Sequence, residues 1–309
     1  MKVFIAGATG VLGRASVPKL VAAGHDVLGV ARAPDKVAQL REQGAVAVPL
    51  DLFDAPAVRE AITGVDAIVH MATSIPPASK AWRSRAWTMH DRLRREGTKI
   101  LAEAGRDGGV TRFVKESVCF GYTDHGSQWI DEEAPLVDAA FMAATLDGER
   151  TASGFAGDAR TGVVLRFGLF YSDDARSLDE SLAMANRGLG PMIGAADAYQ
   201  PSIHVDDAAT AIVAALSAPS GPYNVADEPI TKGEWNEAFA NAFGIDRRQH
   251  SLPKLVLAVG GQKLALLAAS RRICSERFTE TTGWVPRYRD ATIGLEAVAE
   301  AWRSDRGAA

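Results

Sequence analysis

The chain has 309 residues, 47% of them hydrophobic, and a formal net charge of −4. That is enough apolar material for one large domain and a smaller companion. The mildly acidic balance speaks against a nucleic-acid surface.

The opening stretch carries most information. An apolar run, Val3 to Ala6, leads into Gly7-Ala8-Thr9-Gly10-Val11-Leu12-Gly13. A helical pattern follows with Val17, Leu20 and Val21 on one face, then a second apolar run, Val27 to Ala31. Strand, glycine turn, helix, strand is the unit that holds a dinucleotide. Gly7 permits the tight turn, Gly10 clears space for a pyrophosphate, and Gly13 lets the helix approach the sheet. Free N–H groups from Thr9 through Val11 and Leu12 then face the phosphates at the positive helix end. Arg32 closes the second strand, with Lys36 just beyond, where NAD sites carry an acidic residue. A cation there suits a 2′-phosphate, so NADP is expected over NAD.

Further strands are expected at 46–50, 67–72, 112–118 and 163–170, with helices at 57–62 and 87–105. This alternation predicts a Rossmann-type, doubly wound parallel α/β sheet. Arg92-Leu93-Arg94-Arg95 falls in a helical pattern and reads as a solvated face. Short strands at 202–205 and 223–225 flank a helix from Ala208 to Leu216. Residues 1–172, with 201–225 returning to them, form the expected dinucleotide domain. Residues 173–200 and 226–309 form a smaller, mainly helical substrate lobe. Leu252 to Ala269 is broken too often by Pro253, Gly260 and Lys263 for a membrane span and reads as helix packing. Cys119 and Cys274 lack metal-ligand spacing and read as free thiols of a cytoplasmic protein, and no metal site is expected. A strand beginning at residue 3 leaves no room for an export signal.

These motifs resemble the extended short-chain dehydrogenase/reductase family of the NAD-dependent epimerase/dehydratase type. The resemblance spans most of the chain. It rests on the glycine turn, Asp51-Leu52, His70-Met71-Ala72, Gly97-Thr98 and Leu165-Arg166-Phe167-Gly168. Ile203-His204-Val205-Asp206-Asp207, Gly221-Pro222-Tyr223-Asn224-Val225 and Gly283-Trp284-Val285-Pro286 complete it. It implies that Asp51 and Leu52 hold the adenine, that Met71, Ala72 and Thr73 run along the ribose, and that Phe167 to Phe170 line the nicotinamide end.

The chain departs from the family at its chemistry. The family uses Tyr-x-x-x-Lys on the helix after the fifth strand, and no such pair occurs in residues 123–170. Aligning on Glu149 puts Phe141 at the tyrosine and Thr145 at the lysine. Arg94 falls at the family's asparagine, and Glu116 at its serine with Ser117 beside it. Phenylalanine has no proton to give, so Glu116, Ser117 and Tyr122 become the candidate catalytic groups, with His90 and His125 more distant. Trp82, Trp87, Trp129 and Phe141 are candidates to line a pocket, and His204 is expected to pack between lobes. Three functions follow. The first is an NADP(H)-dependent oxidoreductase of atypical mechanism acting on a small carbonyl or hydroxyl substrate. The second is non-redox elimination, isomerisation or cyclisation on the same scaffold. The third is a non-catalytic NADP-binding module. The expected partner is a small molecule rather than nucleic acid or membrane, and the family admits a homodimer.

Overall fold

The computed structural model describes residues 1–81, 83–173, 176–250 and 261–307. Seven parallel strands form the central sheet: β1 (Lys2–Ala6), β2 (Asp26–Val30), β3 (Val46–Val48), β4 (Ala67–His70), β5 (Arg112–Val118), β7 (Thr161–Phe167) and β11 (Gly221–Val225). Their order is β11-β7-β5-β4-β1-β2-β3, and the short strands β6 (Trp129–Ile130) and β9 (Tyr199–Gln200) lie outside this sheet. All four β4 residues are buried, as a strand covered on both faces requires. The order reverses at β1, where an open α/β sheet has its ligand crevice beyond the strand C-termini.

Helices cover both faces. Helix α1 (Val11–Ala22) packs along α8 (Val205–Ala215). Between them and the sheet lies a core of Val3, Ile5, Val17, Leu20, Val69, Val114, Leu165 and Ile212. On the opposite face α3 (Ala55–Ile62) and α5 (Thr98–Asp107) enclose Phe4, Ile62, Ile68, Leu101, Phe113 and Phe155. Helix α2 (Pro34–Glu42) was not foreseen, although Pro34 opens it at a position where proline's missing N–H costs nothing.

Two expected elements are broken. The strand at 163–170 divides at Gly168, and β8 (Leu169–Tyr171) pairs instead with β10 (Ser202–His204). A Cβ on Gly168 would lie 2.8 Å from the Ser202 backbone, so only glycine allows the crossing. The helix at 87–105 is a short α4 (Thr88–Arg92), a π-helical turn (Leu93–Gly97) and α5. The π turn rotates the expected solvated face: Arg92 and Arg95 stay exposed, whereas Leu93 and Arg94 are buried. Arg94 is therefore a core residue, not a surface one.

The C-terminal lobe has its own core, where Tyr171, Leu178, Trp235, Phe239, Leu295 and Val298 join α7 (Arg176–Ala185), α9 (Lys232–Ala242) and the helix Ala291–Gly307. Within the stretch 252–269, residues 252–260 lie outside the described residues, and Gly261–Ala268 is helical. Among the described residues no helix is long and apolar enough to cross a membrane. Both cysteines are free, Cys119 buried and Cys274 partly so.

Candidate functional site

The β1–α1 turn is built from backbone constraints. Gly7 has φ +96°, and a Cβ there would meet Ala72 N at 2.6 Å. A Cβ on Gly13 would sit 2.2 Å from Gly7 O. Gly10 differs: it is exposed, and the nearest atom to its added Cβ is Gly7 O at 3.4 Å. The space above the helix start is thus left clear by the protein itself. Gly10 caps α1 without a side chain. The first-turn amides of Val11, Leu12 and Gly13 therefore have no intrahelical acceptor. Open space over uncapped amides at a helix N-terminus fits a pyrophosphate. The Thr9 carbonyl accepts from Arg14 at 3.2 Å, bracing the loop. A cavity of about 170 Å³ adjoins the turn, bounded by Val11, Arg14, Ser172, His204 and Asp206 among others.

Around this turn stand the other expected cofactor residues. Arg32 is exposed just beyond β2, and Lys36 reaches Gln39 at 3.4 Å. Asp51 Oδ1 accepts from the Phe53 amide at 3.0 Å, with Leu52 buried beside it. The Arg92 guanidinium lies 3.6 Å over the Phe53 ring, a stack that sequence reasoning missed. Met71 and Ala72 are buried at the end of β4, where Gly7 packs on them, and Thr73 is half-buried. Phe167 is buried, and its ring packs on Phe170 at 5.3 Å. Leu169 and Phe170 are partly exposed and are the residues of that segment able to meet a ligand.

One strand away lies the end of β5. His70 and Lys115 are register partners on β4 and β5, so Glu116 lies about one strand spacing, roughly 5 Å, from the Met71 edge of the turn. Here the protein buries two adjacent ionic clusters. Arg94 Nη2 donates to both Glu116 oxygens, at 3.1 and 3.2 Å, and Nη1 donates to the Glu116 carbonyl at 3.3 Å. Arg94 Nε donates to His90 Nε2 at 3.0 Å, which leaves the ring proton on His90 Nδ1. That Nδ1 is buried without a partner. Lys115 Nζ donates to the Glu116 carbonyl at 2.6 Å. Burial, reinforced by Arg94, pulls the Lys115 ammonium down to about 7. Burial and the nearby cations push His90 down to about 3 and His70 well below its ordinary value. His70 serves the π turn: its Nε2 meets Leu93 O at 3.2 Å, a carbonyl whose α-helical bonding the turn disturbs.

The second cluster is centred on α6 (Ala143–Ser153) and β7. Ser117 Oγ donates to Glu149 Oε1 at 2.5 Å. Arg166 donates to Glu149 from Nε and Nη2, the latter at 2.7 Å. Burial lowers the Arg166 guanidinium, but the Glu149 bonds outweigh it and the net shift is upward. Tyr122, fully buried, donates to Asn224 Oδ1 at 2.8 Å and accepts from Arg166 Nη1 at 2.7 Å. Burial raises its phenol pKa. Glu116 thus sits in the first cluster and Ser117 and Tyr122 in the second, each with its side-chain polar atoms engaged. Phe141 is half-buried in the turn before α6, and Thr145 is buried in the first turn of that helix.

The remaining expectations scatter. Trp87 donates its indole N–H to Ala81 O at 2.8 Å and meets His90 edge-on. Trp129 is exposed, with Arg272 stacked 4.0 Å over it. Trp82 lies outside the described residues. The His125 ring bonds to Thr123, and its backbone N–H donates to Ser270 O at 3.1 Å. His204 packs between the rings of Tyr171 and Tyr288, at 5.4 and 4.3 Å. The described residues contain no group of three or more His, Cys, Asp or Glu placed to hold a metal.

Comparison with known proteins matches this architecture. A 3-diazoavenalumate denitrifying reductase from Streptomyces sp is 31% identical, over 96% of this chain and 99% of that protein. The crystal structure of human epimerase family protein SDR39U1 with NADPH superposes with TM-score 0.80 at 26% identity, over 97% of this chain and 99% of that one. MoeE5 in complex with UDP-glucuronic acid and NAD has TM-score 0.78 at 21% identity, over 99% and 100% of the two chains, a likeness of fold. The model of the NAD dependent epimerase/dehydratase family matches residues 3–226. With its glycine turn and seven-stranded parallel sheet, the chain belongs to the NAD dependent epimerase/dehydratase family.

Proposed function

We propose that this protein is an NADPH-dependent reductase of a small organic electrophile, working without the family's Tyr-x-x-x-Lys pair. The observation that carries the reading is the pairing of two neighbouring features: a glycine turn left open at Gly10 over uncapped amides, and a β5 end closed by a buried ion pair beside a helix that carries phenylalanine where the family has its acid. Gly7, Thr9, Gly10, Val11, Leu12 and Gly13 hold the pyrophosphate, Arg32 meets the 2′-phosphate, Asp51 and Leu52 take the adenine, and Met71, Ala72 and Thr73 follow the ribose. A reduced nicotinamide supplies a hydride when bound. Glu116, Ser117 and Tyr122 act as positioning residues, holding the strand end rigid beneath that ring rather than touching the substrate. Two relatives support the redox reading: one is named a reductase, and one was crystallised with NADPH. Non-redox chemistry would call on Glu116 as base, and both of its oxygens already accept from the buried Arg94 guanidinium, which weakens it in that role.

Calorimetry with NADPH and NADH, followed by a panel of carbonyl, imine and diazo compounds monitored by nicotinamide absorbance, tests the proposal. Binding of NADPH and its stoichiometric oxidation by one class is expected. Product formed from any panel member with no change in nicotinamide would favour the isomerase or lyase reading instead.

A further inference from the structure

Resting on the reductase reading, we propose that the electrophile reduced here already carries its positive charge, an iminium-type C=N⁺, and takes no proton from the protein. The argument comes from where protons sit at the end of β5 and the opening of α6, the elements that carry the family's acid. Ser117 gives its proton to Glu149. Tyr122 gives its proton to Asn224 and is held from the other side by Arg166. Glu116 accepts from Arg94 on both oxygens. The Lys115 ammonium is 1% exposed and donates to the Glu116 carbonyl. Phe141 carries no acidic hydrogen, and an aliphatic hydroxyl such as that of Thr145 is no stronger an acid than water.

The two histidines of the cluster strengthen the point. Burial, with Arg94 and Lys115 beside them, holds His70 and His90 neutral. Neither ring therefore stores a second proton for a substrate, and the Lys115 ammonium is closed off by burial. The two guanidiniums of this floor are paired internally, Arg94 with Glu116 and Arg166 with Glu149, and the Lys115 ammonium is buried with them. A cationic substrate approaching this floor meets no uncompensated guanidinium.

The balance of the step decides between substrates. Reducing a ketone leaves an alkoxide that must find a proton, and a placed general acid is worth about 10²–10⁴-fold in such a step. Reducing a C=N⁺ group needs none. The carbon accepts the hydride with its electron pair, the C=N π pair becomes the nitrogen lone pair, and the dinucleotide is left oxidised. The product is a neutral tertiary amine, with atoms and charge in balance.

The test uses the full chain with NADPH and two substrates of matched shape, N-methyl-3,4-dihydroisoquinolinium and α-tetralone. After subtraction of the enzyme-free rate, the iminium is expected to exceed the ketone in kcat/KM by about 10²-fold or more. A smaller ratio overturns the inference while leaving the reductase reading intact. NADPH binding with oxidation by neither substrate nor any other panel compound overturns both. A second readout needs no turnover. Nitrogen NMR of the histidine rings, with and without NADP⁺, is expected to show His90 neutral from about pH 8 down to about pH 5. An imidazolium signal from His90 at neutral pH would reveal a stored proton and sink the idea.

Discussion

The β1–α1 turn and the β5–α6 junction are neighbours in the fold and opposites in design. The turn works through what is missing: two glycines are forced by backbone contacts, and a third leaves a ligand-sized opening over bare amides. The junction works through what has been added. Arginines, lysine and glutamates fill it, and their hydrogen bonds close on one another. A family can keep its cofactor device while rebuilding its chemistry, because phosphate binding depends on backbone geometry and proton transfer depends on side chains.

The largest effect in breaking this comparison is expected at the ion pair. Glu116→Gln leaves the Arg94 guanidinium buried and undercompensated, and removing one partner of such a pair costs about 3–5 kcal/mol. Chemical denaturation should show that loss in the midpoint. The double variant Arg94→Met with Glu116→Gln removes both charges and should recover at least half of it. If the single variant is no less stable than the parent, the closed floor is not the structural unit described here.

Lys115 sharpens the same region through pH. Its folded value lies near 7, against about 10.4 for an unfolded lysine. Between those values the unfolded chain binds the extra proton, so folding stability rises with pH across that window. Below the folded value both states are protonated and the penalty is present in full. Denaturation at about pH 7 and about pH 9.5 should show the rise, and Lys115→Met should flatten it. His90 acts on the acid side: with its folded value near 3, stability falls as pH drops from about 6.5. His90→Phe should weaken that fall.

The contrast also explains what could be read from the sequence. The turn was legible because its requirements are local, with seven consecutive residues between two apolar strands. The sheet was legible because buried parallel strands read as unbroken apolar runs such as Ala67–His70. The junction was not. Arg94 looked solvated because it stands among other arginines, and nothing in the local pattern reveals a carboxylate partner 22 residues on or a π turn that reverses its face. Arg166 inside an apolar strand was the available clue, since a charge at such a position needs a buried partner. The break at Gly168 was also not legible, because the Ser202 backbone that demands a glycine there lies 34 residues on.

At the turn, the two glycines separate fold from ligand. Gly13→Ala pushes a methyl against Gly7 O and the Ala8 carbonyl carbon, at 2.2 and 2.5 Å. A loss of about 1–3 kcal/mol in stability is expected, together with loss of NADPH binding. Gly10→Ala meets only Gly7 O at 3.4 Å, so stability should stay within about 1 kcal/mol. Its methyl occupies the opening instead, and NADPH affinity by calorimetry should fall about tenfold or more. Equal affinity in the Gly10 variant would move the phosphates elsewhere.

The smallest expected effect lies at Arg32, at the edge of the same turn. Its side chain is exposed beyond β2, so removing it disturbs no packing and leaves thermal stability unchanged. A guanidinium meeting a 2′-phosphate makes charge-assisted bonds that NADH cannot match. Arg32→Ala should therefore weaken NADPH by about tenfold and leave NADH nearly untouched, as exposed pairs are screened by water and salt. Raising the salt concentration should shrink the difference in the parent protein and have little left to remove in the variant. If both dinucleotides weaken together, Arg32 supports the shape of the turn and the preference for NADPH comes from another cation, for which Lys36 is the nearest in sequence.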